Sequence, residues 1–291
     1  MLTAEQLRGI YVPIVTPFHA DGKIDWTSFH NLAEQVTASG INGLVVNGTT
    51  GECPTVSGDE AAALIRAAKA AVSPKGIPVI AGTGSNDTAD AVKKTEQAAS
   101  QGADAALAVV PYYNKPSQEG IVEHFRRIAA VGLPVIAYDI PHRTGVGLTL
   151  ESARTIMEMD GVIGLKDSSG SLQMVSELSL VSPKPVLCGD DACFFASLCC
   201  GAQGGMLASA NVRTERFVRV YELFRANRIQ EAKLAFEALL PLIRLLFQEP
   251  NPAPLKWLLS QQGIIESETL RLPMTPISRS LAAELAVIPK S

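Results

Sequence analysis

Eight apolar segments, each followed by a longer amphipathic stretch, recur between residues 9 and 226 and constrain the fold of this chain most. The apolar segments are rich in Val, Ile and Ala without polar alternation, which is typical of strands buried on both faces of a parallel sheet. The predicted strands are 9–16, 43–47, 78–82, 105–110, 134–139, 162–166, 186–189 and 204–208. The predicted helices are 26–39, 58–71, 88–101, 117–130, 150–159, 171–180, 192–198 and 212–226. Eight such units predict an α/β fold, a closed (β/α)8 TIM barrel.

An open, doubly wound sheet is the alternative fold for this pattern. It usually carries a glycine-rich phosphate-binding motif directly after its first strand. Here residues 15–18 (VTPF) stand in that place, and neither G-x-G-x-x-G nor G-x-x-x-x-G-K occurs. The fragment 82–84 (GTG) is better explained as a tight turn before a helix cap at Asn86 or Asp87. The closed barrel is therefore favoured.

Three further helices are predicted beyond the eighth unit, at 229–247, 254–262 and 278–287. Two proline-containing segments, 249–252 and 272–276, separate them. We therefore predict a barrel domain at 1–226 and a C-terminal helical appendage at 227–291. Residues 234–246 are apolar around much of the helix circumference, so they should pack against the barrel or a neighbouring subunit.

The composition argues against several classes of partner and site. Lys and Arg number 25 against 29 Asp and Glu, and no basic stretch is clustered, so neither nucleic acid nor an anionic membrane is expected. No segment reaches the ~20 apolar residues of a membrane helix, and residues 1–8 lack a signal-peptide core. The five cysteines lack C-x-x-C spacing and the four histidines lack paired ligand spacing, so neither disulfides nor a metal site is predicted. A soluble cytoplasmic protein is expected.

Lys166 ends the predicted sixth strand, after the apolar run 161–165 (GVIGL). Such a lysine commonly marks where a strand leaves the core and its charge reaches water, since Lys is rarely fully buried. Alternatively, an ammonium held among apolar walls loses hydration, its pKa falls, and the neutral amine can attack a ketone to form a Schiff base.

Other reactive side chains occur where apolar runs stop, which in a barrel is the catalytic rim. Residues 47–52 (NGTTGE) after the second strand offer hydroxyls and backbone N–H groups that could hold a carboxylate. Residues 111–116 (PYYNKP) and 138–145 (YDIPHRTG) bring phenols and a guanidinium from the fourth and fifth strands. Singly, the tyrosines could be loop packing and the arginine a solvated charge. Their convergence on one rim favours a Schiff-base site around Lys166.

Six motifs, in their order and spacing, resemble the dihydrodipicolinate synthase family. They are 48–52 (GTTGE), 111–114 (PYYN), 143–145 (RTG), 164–167 (GLKD), 249–252 (EPNP) and 270–276 (LRLPMTP). The similarity covers nearly the whole chain. The lysine strand and GTTGE are common to the pyruvate-dependent class I aldolase superfamily, which includes N-acetylneuraminate lyase and keto-deoxy-sugar-acid aldolases. The arginine motif and the C-terminal motifs favour the synthase branch.

The resemblance implies condensation of pyruvate with aspartate 4-semialdehyde, a step of lysine and diaminopimelate biosynthesis. The implied catalytic residues are Lys166 as the Schiff-base lysine, Tyr138 as the proton shuttle, and Thr49 and Tyr113 as a hydroxyl relay. The implied substrate-binding residues are Thr50, Met206 and Gly189 around pyruvate, and Arg143 for the carboxylate of the aldehyde. Tyr113 would come from a neighbouring subunit of a homotetramer built as a dimer of dimers. No cofactor is implied beyond the covalently bound substrate.

This assignment agrees with the chemistry of the groups. Deprotonating the methyl group of an iminium gives an enamine, a carbon nucleophile that the free keto acid would not supply readily at neutral pH. A phenol with an ordinary pKa near ~10 is a poor base by itself, so a hydroxyl relay is a reasonable way to move its proton. The planar guanidinium of Arg143 suits two-pronged binding of a carboxylate.

Two residues near the aldehyde pocket depart from the family pattern, which usually has Asn at position 139 and a small residue at position 142. Asp139 could merely cap a turn and His142 could be an ordinary loop histidine. Both are expected to border the aldehyde pocket, so alternatively they alter the aldehyde specificity, in a paralogue that acts on another aldehyde or on a hydroxy-keto acid.

A second departure concerns the lysine feedback site of many relatives, expected near Tyr112, Asn86 and the start of the second helix. Gly58 and Ala61 stand where two histidines are expected, and Asp90 replaces a longer glutamate. Fewer hydrogen bonds to an amino-acid effector predict weak or absent inhibition by lysine.

A different class of function is a noncatalytic barrel that binds a keto acid as a sensor or scaffold. A pure binder has no need for an amine at the strand end, so the set of Lys166, Tyr138, Tyr113 and Thr49 favours the enzyme. Trapping with borohydride distinguishes the two.

Overall fold

The computed structural model of the protein describes residues 1–288. Its eight strands are β1 (Gly9–Pro13), β2 (Gly43–Val46), β3 (Val79–Gly82), β4 (Ala105–Val109), β5 (Val135–Asp139), β6 (Val162–Asp167), β7 (Val186–Cys188) and β8 (Gly204–Met206). All neighbouring strands are parallel and follow chain order, and β8 closes on β1 through the pair Gly204 and Gly9. The predicted closed barrel is confirmed.

The first eight α-helices lie between the strands in the chain and outside the sheet, and the remaining helices follow the eighth strand. They are α1 (Trp26–Ala38), α2 (Gly58–Val72), α3 (Thr88–Ser100), α4 (Gln118–Ala129), α5 (Pro141–Thr144), α6 (Leu150–Glu158), α7 (Gln173–Val181), α8 (Phe194–Cys199), α9 (Thr214–Arg225), α10 (Ile229–Glu237), α11 (Leu240–Leu246), α12 (Ala253–Gln261) and α13 (Arg279–Ala286). The short helix α5 was not predicted and carries Arg143. None of the helices in the described range is both long and apolar enough to cross a membrane.

Side-chain caps fix where the barrel helices begin. At α2, the Ser57 hydroxyl accepts a hydrogen bond from the Glu60 N–H, and the Glu60 carboxylate accepts one from the Ser57 N–H. Asp25, Asp87, Ser117 and Thr149 cap α1, α3, α4 and α6 in a similar way. Each cap satisfies a backbone donor that the first helical turn leaves free. Because these helices begin on the rim where the strands end, the caps anchor the loops that carry the candidate site.

Apolar side chains fill the barrel interior below that rim. Tyr11, Val45 and Ile80 point inward from three consecutive strands, whereas residues one position away pack outward against the helices. The inner cluster extends to Tyr138 and Met206, which both lie at strand ends. The candidate site therefore rests on a packed core and opens at one end of the barrel only.

The C-terminal appendage differs from the prediction in one helix. The predicted helix at 229–247 is divided into α10 and α11, which makes four helices after Arg225 in the described residues. Pro241 explains the break, because its ring would clash with the carbonyl of Glu237, where α10 ends. The Phe236 ring of α10 stacks on Phe195 at 6.1 Å between centroids, so this part packs against the barrel. The division of the chain into two domains stays a prediction.

Candidate active site

A cavity of about 380 Å³ opens at the C-terminal ends of the strands. Seven of the eight predicted site residues line it: Thr49, Thr50, Tyr138, Arg143, Lys166, Gly189 and Met206. They come from five of the eight strand ends or the loops that follow them. The structure therefore brings together residues that the sequence separates by as many as 157 positions.

Lys166 and Tyr138 form the centre of this cavity. They are direct neighbours in the β5–β6 register, and the Lys166 Nζ lies 4.1 Å from the centroid of the Tyr138 ring. The side chains are only 6% and 4% exposed. Parallel strands with this register direct both side chains into the barrel, so the amine and the phenol face the same bound molecule.

Gly189 leaves the space that the Lys166 side chain occupies. A Cβ at position 189 would lie 2.5 Å from the Lys166 Cε and 2.2 Å from the Ser168 Oγ, well inside van der Waals contact. The Gly189 N–H donates to the Asp167 carbonyl at 2.7 Å, which holds the two strand ends together. The residue assigned to substrate binding therefore also sets the path of the lysine.

A tight turn after β2 presents the hydroxyls and N–H groups of Thr49 and Thr50. The Gly51 and Cys53 N–H groups both donate to the Gly48 carbonyl, at 3.0 and 3.3 Å. The N–H groups of Thr49 and Thr50 have no acceptor among residues 1–288. Successive free N–H groups in a turn form a concave site for an anion, so this turn can hold a carboxylate beside Lys166.

Asn251 ties this turn to the appendage and was not predicted as a site residue. Its Nδ2 donates to the Thr50 Oγ1 at 3.0 Å, and both side chains are buried and line the cavity. Because Asn251 uses the threonine oxygen as an acceptor, the Thr50 hydroxyl proton is directed elsewhere. The EPNP motif at 249–252 was the signal in the sequence, although its partner lies 201 residues away.

Glu52 also links the turn after β2 to the appendage. Its Oε1 accepts a hydrogen bond from the Lys256 Nζ at 2.6 Å, and its Oε2 accepts one from the Arg271 N–H at 3.1 Å. Burial lowers the pKa of Lys256 to about 8, and the Glu52 charge opposes this effect. The appendage thus supplies a cation and a donor to the end of the anion-binding turn.

Asp191 adds an unpredicted carboxylate to the cavity wall. It accepts hydrogen bonds from the Ala208 and Ser209 N–H groups, at 3.2 and 2.6 Å. Burial raises its pKa to about 6, while these bonds and the charge of Lys166 act in the other direction. A carboxylate whose charge interacts with that of a lysine stabilises the ammonium or an iminium derived from it.

Arg143 and His142 both reach the cavity from α5. No carboxylate pairs with the Arg143 guanidinium in the described part of the chain. This exposed cation at the mouth is suited to an anionic group on a second substrate.

Asp139 does not border the cavity, so that expectation was wrong. It lies in a separate hollow beside Leu148, whose N–H donates to the Asp139 Oδ1 at 3.2 Å. Successive strand residues point to opposite faces, so an inward Tyr138 requires an outward Asp139. The alternation was visible in the sequence. Asp139 therefore affects the geometry of the turn beside Leu148. His142, the other residue that departs from the family pattern, lines the cavity.

Tyr113 is the predicted site residue that stands apart. It is 88% exposed, adopts a left-handed φ of 70°, and donates its backbone N–H to the Thr144 carbonyl at 3.3 Å. It is not among the residues that line the cavity of its own chain. The relay from Thr49 to Tyr113 is thus not assembled within one chain.

One group of possible metal ligands occurs in the described range. His19, Asp25 and Glu266 each bring one donor atom within 4.8 Å of the others. Asp25 already caps α1 through the Ser28 N–H at 3.0 Å. None of the three lines the cavity around Lys166.

The comparisons with known proteins agree with this geometry. Residues 6–291 match the model of the dihydrodipicolinate synthetase family. The chain belongs to the dihydrodipicolinate synthetase family. A 4-hydroxy-tetrahydrodipicolinate synthase of Herminiimonas arsenicoxydans is 42% identical over 275 residues, which cover 94% of each chain.

Solved structures of dihydrodipicolinate synthases share the fold over almost the full length. The chloride-inhibited enzyme of Acinetobacter baumannii, complexed with pyruvate, superposes with a TM-score of 0.93 at 38% identity, covering 96% of this chain and 97% of that one. The enzyme of Cyanidioschyzon merolae with lysine bound gives a TM-score of 0.94 at 34% identity, with 97% and 96% covered.

A second hollow lies where the resemblance to the dihydrodipicolinate synthetase family predicts the lysine feedback site. It encloses about 280 Å³ and is lined by Gly58, Ala61, Tyr112 and Lys94, among others. The Lys94 Nζ pairs with the Asp90 carboxylate at 2.7 Å. Because two lining residues lack polar side chains and Asp90 is already paired, weak lysine inhibition stays our prediction.

Proposed function

We propose that this protein condenses pyruvate with L-aspartate 4-semialdehyde through a Schiff base on Lys166, as a 4-hydroxy-tetrahydrodipicolinate synthase. The observation that carries the proposal is the buried Lys166 amine against the Tyr138 ring, in a cavity that also contains a carboxylate-binding turn. Membership of the dihydrodipicolinate synthetase family supports the same reaction. The reaction requires no cofactor, because the iminium itself withdraws electrons from the substrate.

The first step joins pyruvate to the lysine. The Thr49 and Thr50 N–H groups hold the pyruvate carboxylate, which directs the ketone carbon toward the Lys166 Nζ. After the Lys166 ammonium has released one proton, its nitrogen adds to this carbon. Return of that proton to the leaving oxygen and loss of water give an iminium. The buried Asp191 carboxyl next to Lys166 favours this cation electrostatically.

The second step creates the carbon nucleophile. Removal of a methyl proton from the iminium gives an enamine, and Tyr138 is placed to carry that proton because its ring lies against the Lys166 Nζ. The Thr49 hydroxyl lines the same cavity, and in this proposal it passes the proton on to Tyr113 of a neighbouring subunit. The enamine then attacks the aldehyde, whose carboxylate binds the Arg143 guanidinium. The substrate amine then closes the ring on the iminium carbon and displaces the Lys166 amine, while the hydroxyl formed from the aldehyde stays in the product.

Borohydride trapping tests the Schiff base directly. Reduction in the presence of pyruvate should leave a stable mass adduct that peptide mapping places on Lys166. The Lys166→Ala variant should show no adduct, whereas Lys23→Ala, which removes a lysine exposed at 82%, should retain it. Absence of the adduct from folded wild-type protein would exclude the enzyme and favour a keto-acid-binding barrel.

A substrate panel tests the second reactant. Aspartate 4-semialdehyde should be turned over with a kcat/KM well above that of other aldehydes, and the Arg143→Ala variant should raise the KM for this substrate more than that for pyruvate. Higher turnover of another aldehyde or of a keto-deoxy acid would instead assign the protein to a paralogous aldolase.

We also propose a homotetramer of the cytoplasm in which Tyr113 completes the site of a neighbouring subunit. Its exposure and its position outside its own cavity support the sharing, and the absence of disulfides among the five cysteines agrees with a reducing compartment. Mixing inactive Lys166→Ala and Tyr113→Phe subunits tests it. Random pairing should restore about a quarter of the native sites, because mixed pairs contain one complete site. No recovery after verified exchange would contradict a shared site.

A further inference from the structure

Ser168 is a buried hydroxyl beside the reactive lysine that no step described so far uses. It follows β6 directly, is 3% exposed, and lines the cavity together with Lys166. Its Oγ has no hydrogen-bond partner among residues 1–288. A buried hydroxyl without a partner is unfavourable for folding, so such a group in a binding cavity points to a role toward the bound molecule.

The geometry places this hydroxyl next to the lysine side chain. Ser168 lies two positions after Lys166, so both side chains leave the same face of the strand end. The Ser168 Oγ and the Lys166 Cε lie within 2.5 Å of one point, the position of a Cβ on Gly189. The Lys166 Nζ itself lies over the Tyr138 ring and makes no hydrogen bond to Ser168. The hydroxyl is thus close to the amine without binding it.

Ser168 can therefore hydrogen-bond to an atom of the substrate that becomes bonded to Lys166. When Lys166 adds to a ketone, the former carbonyl oxygen becomes a hydroxyl on the carbon that is bonded to Nζ. This carbinolamine oxygen exists only in the intermediate that precedes the iminium. A donor placed in advance at such an oxygen assists its departure.

We propose that Ser168 donates a hydrogen bond to the carbinolamine hydroxyl on Lys166 and promotes its loss as water. The inference rests on the Schiff-base function proposed above. The C–N bond forms from the nitrogen lone pair, and the C–O bond breaks as nitrogen forms the C=N bond. Of the three protons of the Lys166 ammonium, two leave with oxygen as water and one stays on the iminium nitrogen. Ser168 supplies a hydrogen bond without net proton transfer, so no further reactant is needed.

The Ser168→Ala variant tests the proposal through the rate of adduct formation. Quenched-flow mixing with pyruvate, followed by borohydride and mass analysis, should show adduct formation slowed by about 10- to 100-fold. The final yield of adduct should be retained. Without pyruvate the variant should unfold at the same temperature as the wild type or higher, because it removes an unpaired buried hydroxyl. A purely structural serine would instead lower this temperature.

The neighbouring serine provides the matched control. Ser169 donates its hydroxyl to the Ser171 carbonyl at 3.3 Å and lines the hollow on the outer side of the strand. The Ser169→Ala variant should form the adduct at the wild-type rate, and Ser168→Thr, which keeps the hydroxyl, should be faster than Ser168→Ala. Equal rates for Ser168→Ala and wild type would overturn this inference alone. No adduct on the wild-type protein would overturn the proposed function and this inference together.

Discussion

The Lys256 Nζ donates a hydrogen bond to the Glu52 Oε1 at 2.6 Å, although 204 residues separate them. The side chains are 0% and 2% exposed. The Nζ also donates to the Thr269 carbonyl at 2.6 Å and lies 4.2 Å from the centroid of the Phe18 ring. This contact joins the appendage to the turn that presents Thr50, so the appendage is part of the wall of the candidate active site.

Removing the lysine should destabilise the protein strongly. Lys256→Met leaves the Glu52 carboxylate buried without its cation, and we expect the free energy of unfolding to fall by about 3–5 kcal/mol. The double variant Lys256→Met, Glu52→Gln should lose less, because no charge is left unpaired. Lys233→Met breaks an exposed pair with Glu237 and should cost no more than about 1 kcal/mol. Denaturant titration measures all three, and equal losses for the single and double variants would contradict the argument.

Asn251 should control pyruvate binding through Thr50. The Asn251→Ala variant removes the donor that holds the Thr50 hydroxyl, and we expect the KM for pyruvate to rise about tenfold, with a smaller change in kcat. Asn251→Asp should raise the KM further, because it brings a negative charge toward the substrate carboxylate. Steady-state kinetics with varied pyruvate distinguishes these outcomes from a general loss of activity, which would argue for a folding role instead.

Gly189 should tolerate no side chain. A methyl group there would collide with Lys166 and Ser168, so Gly189→Ala must displace the amine. A displacement of about 1 Å at a reacting group can cost about 100-fold in rate, and we expect at least that loss in kcat. Gly58→Ala, where a Cβ meets its nearest atom at 3.6 Å, serves as the control and should keep full activity. Comparable activity of both variants would contradict the argument that a side chain at position 189 collides with Lys166 and Ser168.

Asp139 should make stability depend on pH. Burial raises its pKa to about 7, and the nearby Asp167 carboxyl acts in the same direction while the Leu148 N–H opposes it. The unfolded pKa is near ~3.9, so the folded protein binds the extra proton between these values and loses stability as the pH rises through about 7.

The Asp139→Asn variant removes this titration. It should be more stable than the wild type at pH 8, by about 1–4 kcal/mol, and the difference should vanish toward pH 4, where both side chains are uncharged. Thermal or denaturant unfolding across this pH range measures the effect. A difference that does not change with pH would show that the carboxyl does not titrate as its burial requires.

Lysine should inhibit the enzyme weakly or not at all. Gly58 and Ala61 offer no side-chain hydrogen bond to an amino acid in the second hollow. Titration of lysine into the assay should therefore show no submillimolar inhibition. Introducing histidines with Gly58→His and Ala61→His should strengthen inhibition, since a Cβ at position 58 makes only ordinary contacts, the nearest at 3.6 Å. Submillimolar inhibition of the wild type would refute the prediction.

Much of the site was predictable because strand ends are local features of the sequence. An apolar run that stops at Lys166 or Tyr138 places that residue on the rim once the strands are parallel, and the register then makes the two residues neighbours. The outward direction of Asp139 follows from the same alternation, which the sequence interpretation overlooked. The break before α11 was also encoded locally, in Pro241.

The sequence alone determined the barrel and the position of Lys166 at the end of a buried strand, because hydrophobic periodicity and chain order specify which residues end the buried strands. Only the tertiary structure decided the partners of these residues. Asn251 reaches Thr50 and Lys256 reaches Glu52 across more than 200 positions, and Ser168 is left without a partner beside Lys166. Hydrogen bonds over such separations depend on how the appendage packs against the rim, which no local pattern in the chain encodes.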